Sequence, residues 1–184
     1  MQMEERILAE GCRMGDNTAR RELYDRYAGR LLAICMRYVG ERATAEDLLH
    51  DAFLKIYGAF DRFSYRGPGS LRAWIERITV NVALEWLRNR NRLGVVELDE
   101  GRAAGTIADP DPAEVVRVPH DVLLRFVGEL PDGYRAVFNL YCIEGLPHRE
   151  IAEMLGINEK SSSSQLFRAR NILARRIKDY LKTH

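Results

Sequence analysis

The residues best equipped to do chemistry lie in one run near the C-terminus. After Gly156 and Ile157, the side chains Lys160, Ser163, Ser164, Phe167, Arg168 and Asn171 recur at helical spacing on one side of a polar segment. Hydroxyls, an amide, cations and a flat aromatic on one helix face can hydrogen-bond base edges in a duplex groove and position phosphates. The preceding stretch, Gly145 to Asn158, supplies the rest of a helix-turn-helix. Pro147 suits a helix start, and Arg149 adds a cation. Ile151, Ala152 and Leu155 form an inner face on which small Ala152 permits a close second helix. Gly156 supplies the turn, Ile157 plugs it, and Ser162, Leu166, Ala169 and Leu173 turn inward on the second helix. A generic helical hairpin with a soluble face is the plain alternative. Four consecutive serines, Ser161 to Ser164, are poor helix formers. They make more sense where short hydroxyl side chains let a backbone approach DNA.

A second constellation spans residues 63–92. It interleaves Phe63, Tyr65, Trp74 and Trp86 with Arg66, Arg72, Arg77, Arg88, Arg90 and Arg92. Aromatic faces with cations suit unstacked single-stranded bases better than duplex. Taken singly, the two tryptophans are core residues and the arginines a solvated face. Joined to a duplex-binding motif, the pattern describes a protein that grips duplex DNA and opens it nearby.

Enzymatic chemistry has no comparable support. His50, His120, His148 and His184 form no metal-spaced cluster, and neither a Gly-rich phosphate loop nor a nucleophile elbow occurs. His148-Arg149-Glu150 is only a superficial H-x-E without the P-C-x-x-C partner of zinc deaminases. No catalytic residue, metal or cofactor is therefore expected. Cys12, Cys35 and Cys142 are too scattered for structural zinc or a disulfide framework, and read as reduced buried thiols. No run approaches the roughly 20 apolar residues of a membrane span. Glu4 and Glu5 stand where a signal peptide would be basic. A soluble, cytoplasmic protein without membrane insertion is expected.

The net charge of +1 conceals a segregation that the elements must account for. Residues 1–61 carry −2, 62–92 carry +5, 93–118 carry −4 and 119–184 carry +2, with +6 inside 160–184. Basic residues near helix C-termini and ordinary solvation explain part of this. The acidic stretch 93–118 has three glycines, Pro110, Pro112 and no aromatic residue, so it reads as a flexible linker without periodicity until Pro119. It separates domains at 1–92 and 119–184. Strand signals are weak and helical stripes strong, so the fold is predicted all-α: two small helical domains, the second containing the helix-turn-helix. Leu23, Tyr27, Leu31, Ile34, Cys35 and Tyr38 form one stripe, and Leu48 to Phe60 another. Thr44 is expected to cap the second of these helices, and Ser70 a third with Leu71, Trp74, Ile75, Ile78, Val82 and Leu87 inward. After the linker come helices near 119–129 and 131–144 and the pair around Gly156.

With these segments in place, the chain closely resembles the extracytoplasmic-function sigma factors, small two-domain initiation factors of bacterial RNA polymerase. ATAEDLLHDAFLKIYGAFDRF and LRAWIERITVNVALEWL look like the segments that bind core polymerase and the −10 element. LPDGYRAVFNLYCIEGLPHREIAEMLGINEKSSSSQLFRARNIL looks like the −35-binding domain. The resemblance implies that Asp47, His50 and Asp51 contact core RNA polymerase, although the family usually has Gln and Glu at the last two positions. Helical spacing does put these three on one face. It implies further that Phe63 and Asn81 line a pocket for a flipped base, shaped by Tyr65, Arg66 and Ser70, with Arg77 in the same −10 surface. Ser163, Ser164, Phe167 and Arg168 match −35-reading positions, joined by Arg149 and Lys160. The family often has Lys or Arg at Ser163 and Arg at Gln165, so this member depends less on phosphate attraction and more on groove fit. Promoter DNA, duplex and single-stranded, core RNA polymerase and an anti-sigma factor are the implied partners. The acidic linker resembles a segment that threads the polymerase cleft, and a plain tether fits it equally well. A stand-alone helix-turn-helix regulator is the competing reading, and it has no need of the arginine–aromatic segment.

Overall fold

Apolar residues at three- and four-residue steps become buried helix faces wherever the chain is described, which in this computed structural model is residues 3–89 and 112–183. No strand occurs among the described residues. The chain divides into two compact units, Met1–Glu85 and Trp86–His184.

The first unit holds α1 (Glu5–Arg13), α2 (Asn17–Val39), α3 (Arg42–Ala59), a 3-10 turn (Phe60–Arg62) and most of α4 (Ser70–Asn89). Leu23, Leu31, Ile34, Cys35 and Tyr38 of the α2 stripe are buried, and Leu48, Ala52, Phe53 and Ile56 of α3 face them. The α4 face is broader than the expected stripe. Leu71, Ile75, Val82 and Leu87 are buried as anticipated, and so are Thr79, Val80, Ala83 and Leu84, whereas Trp74 and Ile78 are half-exposed.

Two helix starts differ from expectation. The α2 helix stops at Gly40 in the left-handed region, and α3 begins at Arg42 with Glu41 as its extended N-cap. Thr44 therefore sits inside the first turn, its hydroxyl donating to Glu41 Oε2 at 2.9 Å. Ser70 is likewise the first helical residue of α4, and its Oγ accepts from the Arg66 N–H at 3.2 Å. The α4 cap comes from another helix. Glu5 of α1 accepts the Gly69 N–H on Oε2 and the Leu71 N–H on Oε1, both at 2.6 Å. A carboxylate in this position satisfies two orphan donors and complements the positive end of the helix dipole.

The second unit contains α5 (Pro112–Val116), α6 (His120–Gly128), α7 (Asp132–Phe138), a π turn (Asn139–Ile143), α8 (His148–Leu155) and α9 (Glu159–Thr183). The 25-residue α9 is the spine. Val118, Phe126 and Ile177 form one buried cluster, and Leu130, Tyr134 and Ala169 another. The expected linker ends earlier than Pro119. Pro112 opens α5, where a proline without an N–H costs nothing at a helix start, and Val115 and Val118 pack into the first cluster. The remaining linker residues, 93–111, and Arg90 and Arg92, lie outside the described residues. Arg135 is only 4% exposed, yet it donates to the Gly128 and Leu130 carbonyls at 2.7 and 2.9 Å and pairs with Asp132. It thus ties the end of α6 to the start of α7 with its charge compensated.

Of the three free cysteines, Cys12 and Cys35 are buried and Cys142 is exposed, so the expectation of buried thiols fails at one position. Burial pushes the Cys12 thiol up to about 11 and that of Cys35 to about 12.

Candidate nucleic-acid interface

The helix-turn-helix takes its angle from local backbone chemistry. Gly156 ends α8 at φ 68°, a left-handed conformation suited to glycine, and its N–H and that of Ile157 both reach the Ala152 carbonyl. Asn158 then starts α9, its Oδ1 accepting from the Ser161 N–H at 2.7 Å. Ser162, fully buried, meets His148 Nδ1 at 2.9 Å and links the two helices. The Tyr141 ring stacks on His148 with centroids 4.7 Å apart.

On α9, Lys160, Ser163 and Phe167 are exposed, and Phe167 keeps 51% of its surface in solvent. Ser164, Arg168 and Asn171 are half-buried at the edges of this face. Arg168 is anchored, with Nη1 donating to the Tyr134 hydroxyl at 3.2 Å. Arg149 of α8 is exposed and paired with Glu153 at 3.6 Å. Arg170 escaped the sequence reading. It continues the row of Lys160, Ser163 and Phe167, is exposed, and has its guanidinium 6.0 Å from the Tyr141 ring centroid. Spacing alone could have found it.

In the first unit, Tyr65 is half-buried and Arg66 exposed on the loop between the 3-10 turn and α4. Arg77 and Asn81 follow at i, i+4 on the exposed side of α4, with Ser70 at the helix start. Phe63, expected to line a base pocket, is buried. It is 5% exposed, with its ring centroid 4.9 Å from Trp74 and 6.3 Å from Phe60. The run of apolar partners on both sides draws this ring into the core and leaves Tyr65 as the loop's accessible aromatic.

The outer face of α3 carries Asp47, His50 and Asp51, all exposed. His50 also borders a groove of about 580 Å³ between α2 and α3, lined by Tyr24, Leu49, Phe53, Leu54 and Tyr57. Tyr24 is 47% and Leu54 58% exposed, an apolar margin beside the acidic edge that sequence reasoning missed. Burial raises the Tyr57 phenol to about 12, and its hydroxyl donates to the Arg20 carbonyl at 2.9 Å. No cluster of metal-ligating side chains occurs among the described residues. None of their helices is long and apolar enough to cross a membrane.

One unit carries a helix-turn-helix and the other an arginine–aromatic loop, and both match the sigma-70 class of transcription factors. The family model for Sigma-70 region 2 matches residues 23–93, and that for Sigma-70, region 4 matches residues 120–173. ECF RNA polymerase sigma factor SigE of Mycolicibacterium smegmatis is 30% identical over 168 residues, covering 89% of this chain and 62% of that protein. The ECF RNA polymerase sigma-E factor of Escherichia coli is 26% identical over 190 residues, covering 98% of both chains. A solved structure of the sigma factor RpoE in complex with the anti-sigma factor NepR, from Bartonella quintana, shares the fold at a TM-score of 0.52 and 23% identity. It matches over 86% of this chain and 96% of that one. The chain belongs to the ECF sigma factors, alternative sigma factors that direct RNA polymerase to promoters.

Proposed function

We propose that this sigma factor works through three surfaces and catalyses no reaction of its own. The acidic edge of α3, Asp47, His50 and Asp51, docks on core RNA polymerase, with the apolar margin at Tyr24 and Leu54 enlarging the contact. Tyr65, Arg66, Ser70, Arg77 and Asn81 receive the −10 element as it opens, and Phe63 supports them from the core. Flipping a base costs a few kcal/mol of unstacking, which stacking and hydrogen bonding at such a surface offset. Lys160, Ser163, Ser164, Phe167, Arg168 and Arg149 read the −35 element in the major groove, with Arg170 extending the row. The two domains are taken as 1–92 and 119–184, with residues 93–118 joining them. The protein acts in the cytoplasm, where polymerase is, and an anti-sigma factor is its inhibitory partner.

One observation carries this reading. A single chain presents a cationic, aromatic loop suited to unstacked bases and a separate recognition helix suited to duplex. A stand-alone repressor needs only the second. Run-off transcription with purified bacterial core polymerase on a library of promoter-like DNA tests it. Factor-dependent transcripts sharing two spaced upstream motifs support the assignment. Tight duplex binding by the free protein, with neither transcripts nor core association, refutes it.

A further inference from the structure

The loop between Phe63 and Ser70 is short, glycine-rich and exposed, yet both of its ends are held by one helix, α1. At its start, Arg13 of α1 donates through Nη2 to the Phe63 carbonyl at 2.8 Å and through Nε to the Phe60 carbonyl at 3.4 Å. At its end, Glu5 receives the Gly69 and Leu71 N–H groups at 2.6 Å each. Glu5 and Arg13 stand eight residues apart, two turns of helix or about 12 Å along α1. The helix therefore spans the base of the loop and fixes the distance between its ends. Between the anchors, Gly67 and Gly69 adopt φ 120° and 85°. These conformations let the chain reverse but give it no stiffness of its own.

We infer that α1 is a positioning element for promoter opening: Glu5 and Arg13 hold the Tyr65–Arg66 loop in the geometry that captures a −10 base. The inference rests on the proposed role of that loop. The carboxylate and the guanidinium act on backbone groups at opposite ends of the loop, and the Phe60 carbonyl is shared between Arg13 and the Phe63 N–H of the 3-10 turn. Ser70, the residue placed to cap α4, is occupied with the Arg66 N–H instead. Without Glu5 the first turn of α4 loses its acceptor. Without Arg13 the Phe63 carbonyl loses its side-chain donor, while the turn keeps the bond from the Phe63 N–H to the Phe60 carbonyl. Either loss leaves α2, α3 and the docking face of α3 intact, because neither residue contributes to the core.

Glu5→Gln, Arg13→Ala and the double variant test this, beside Tyr65→Ala with Arg66→Ala as the loop control. Each is assembled with core polymerase on a promoter obtained from the run-off library. Three quantities are read: core affinity, 2-aminopurine fluorescence on opening, and the ratio of activity on the selected −10 base to its three substitutes. The double α1 variant is expected to bind core within twofold of the parent. Its opening should fall at least tenfold, and its base ratio should collapse toward one. Glu5→Gln keeps one acceptor oxygen and should fall between. A merely structural role would lower the amount of folded protein and leave the base ratio of the remainder unchanged. An unchanged ratio in the double variant, with a collapsed ratio in the loop control, overturns the positioning role alone. An unchanged ratio in both removes the loop from base reading and takes this inference with it.

Discussion

Phe63 separates a residue that touches a base from one that supports the residues that do. Phe63→Ala would remove a ring that is 5% exposed and wedged against Trp74 and Phe60. Phe-to-Ala changes in cores cost about 3–5 kcal/mol. For a unit of this size each kcal/mol moves the melting temperature by about 4–8 °C. That variant would unfold near assay temperature and decide nothing. Phe63→Leu keeps most of the volume. It forfeits the two aromatic contacts, about 0.5–1.5 kcal/mol each, so a loss of about 1–3 kcal/mol is expected. The assay pairs thermal unfolding, followed by circular dichroism, with 2-aminopurine detection of promoter opening at least 10 °C below the lowered transition, an interval set by that slope. The core assignment requires a clear fall in melting temperature with opening within twofold of the parent. Tyr65→Ala should show the reverse, an unchanged transition and lost opening. If Phe63→Leu abolishes opening while its melting temperature stays put, the ring contacts the base and the inward assignment is wrong.

Four further outcomes follow from the same structure. Asp47→Arg with Asp51→Arg reverses two exposed charges on α3, so core polymerase binding measured by anisotropy should fall more than 100-fold while the melting curve stays put. Tyr134→Phe removes the hydroxyl that accepts from Arg168. Losing about 1 kcal/mol of orientation should weaken −35-dependent transcription about 5-fold, less than Arg168→Ala, with core association intact. Ellman's reagent should titrate one thiol in the native protein, the exposed Cys142, and three after denaturation. Cys35 is raised from 9.0 to about 12 in the folded state, so its protonated form is favoured by folding. The stability this represents is complete below pH 9 and drains away as pH rises toward 12, with alkaline urea titrations as the check.

Helices and the division into two units were legible because they repeat locally: apolar stripes at 3.6-residue spacing, a glycine turn and a proline start. What stayed hidden depends on partners far along the chain. Glu5 looks like a charge at the start of the sequence, and only the fold brings it to Leu71. Arg168 looks like a free cation until Tyr134, 34 residues earlier, arrives beside it. Phe63 carries no local sign of direction, since an aromatic beside arginines fits a stacking platform and a core equally well. In the fold its ring packs against Trp74 and Phe60. The α5 helix was masked by Pro112 and its acidic neighbours, which read as linker until Val115 and Val118 find a core to enter.

These distant contacts fall unevenly, and the unevenness follows from what each surface must do. The proposed docking through Asp47 and Asp51 would rely on charge, whose attraction decays gently with distance and tolerates side-chain motion. Base reading does not, because a hydrogen bond fails within a few tenths of an ångström or a few tens of degrees. Every long side chain left mobile at a reading surface would also lose rotamer freedom on binding, about 0.5–1.5 kcal/mol each. The structure places its restraints accordingly. Arg168 is tethered by Tyr134, His148 is fixed by Ser162 and Tyr141, and the Tyr65–Arg66 loop is pinned at both ends by α1. On α9, Ser163 and Ser164 have short side chains with little rotamer freedom to lose. A helix face built on short Ser163 and Ser164 side chains gives up long-range attraction. What it keeps is discrimination that depends on fit, and fit is what the tethers supply.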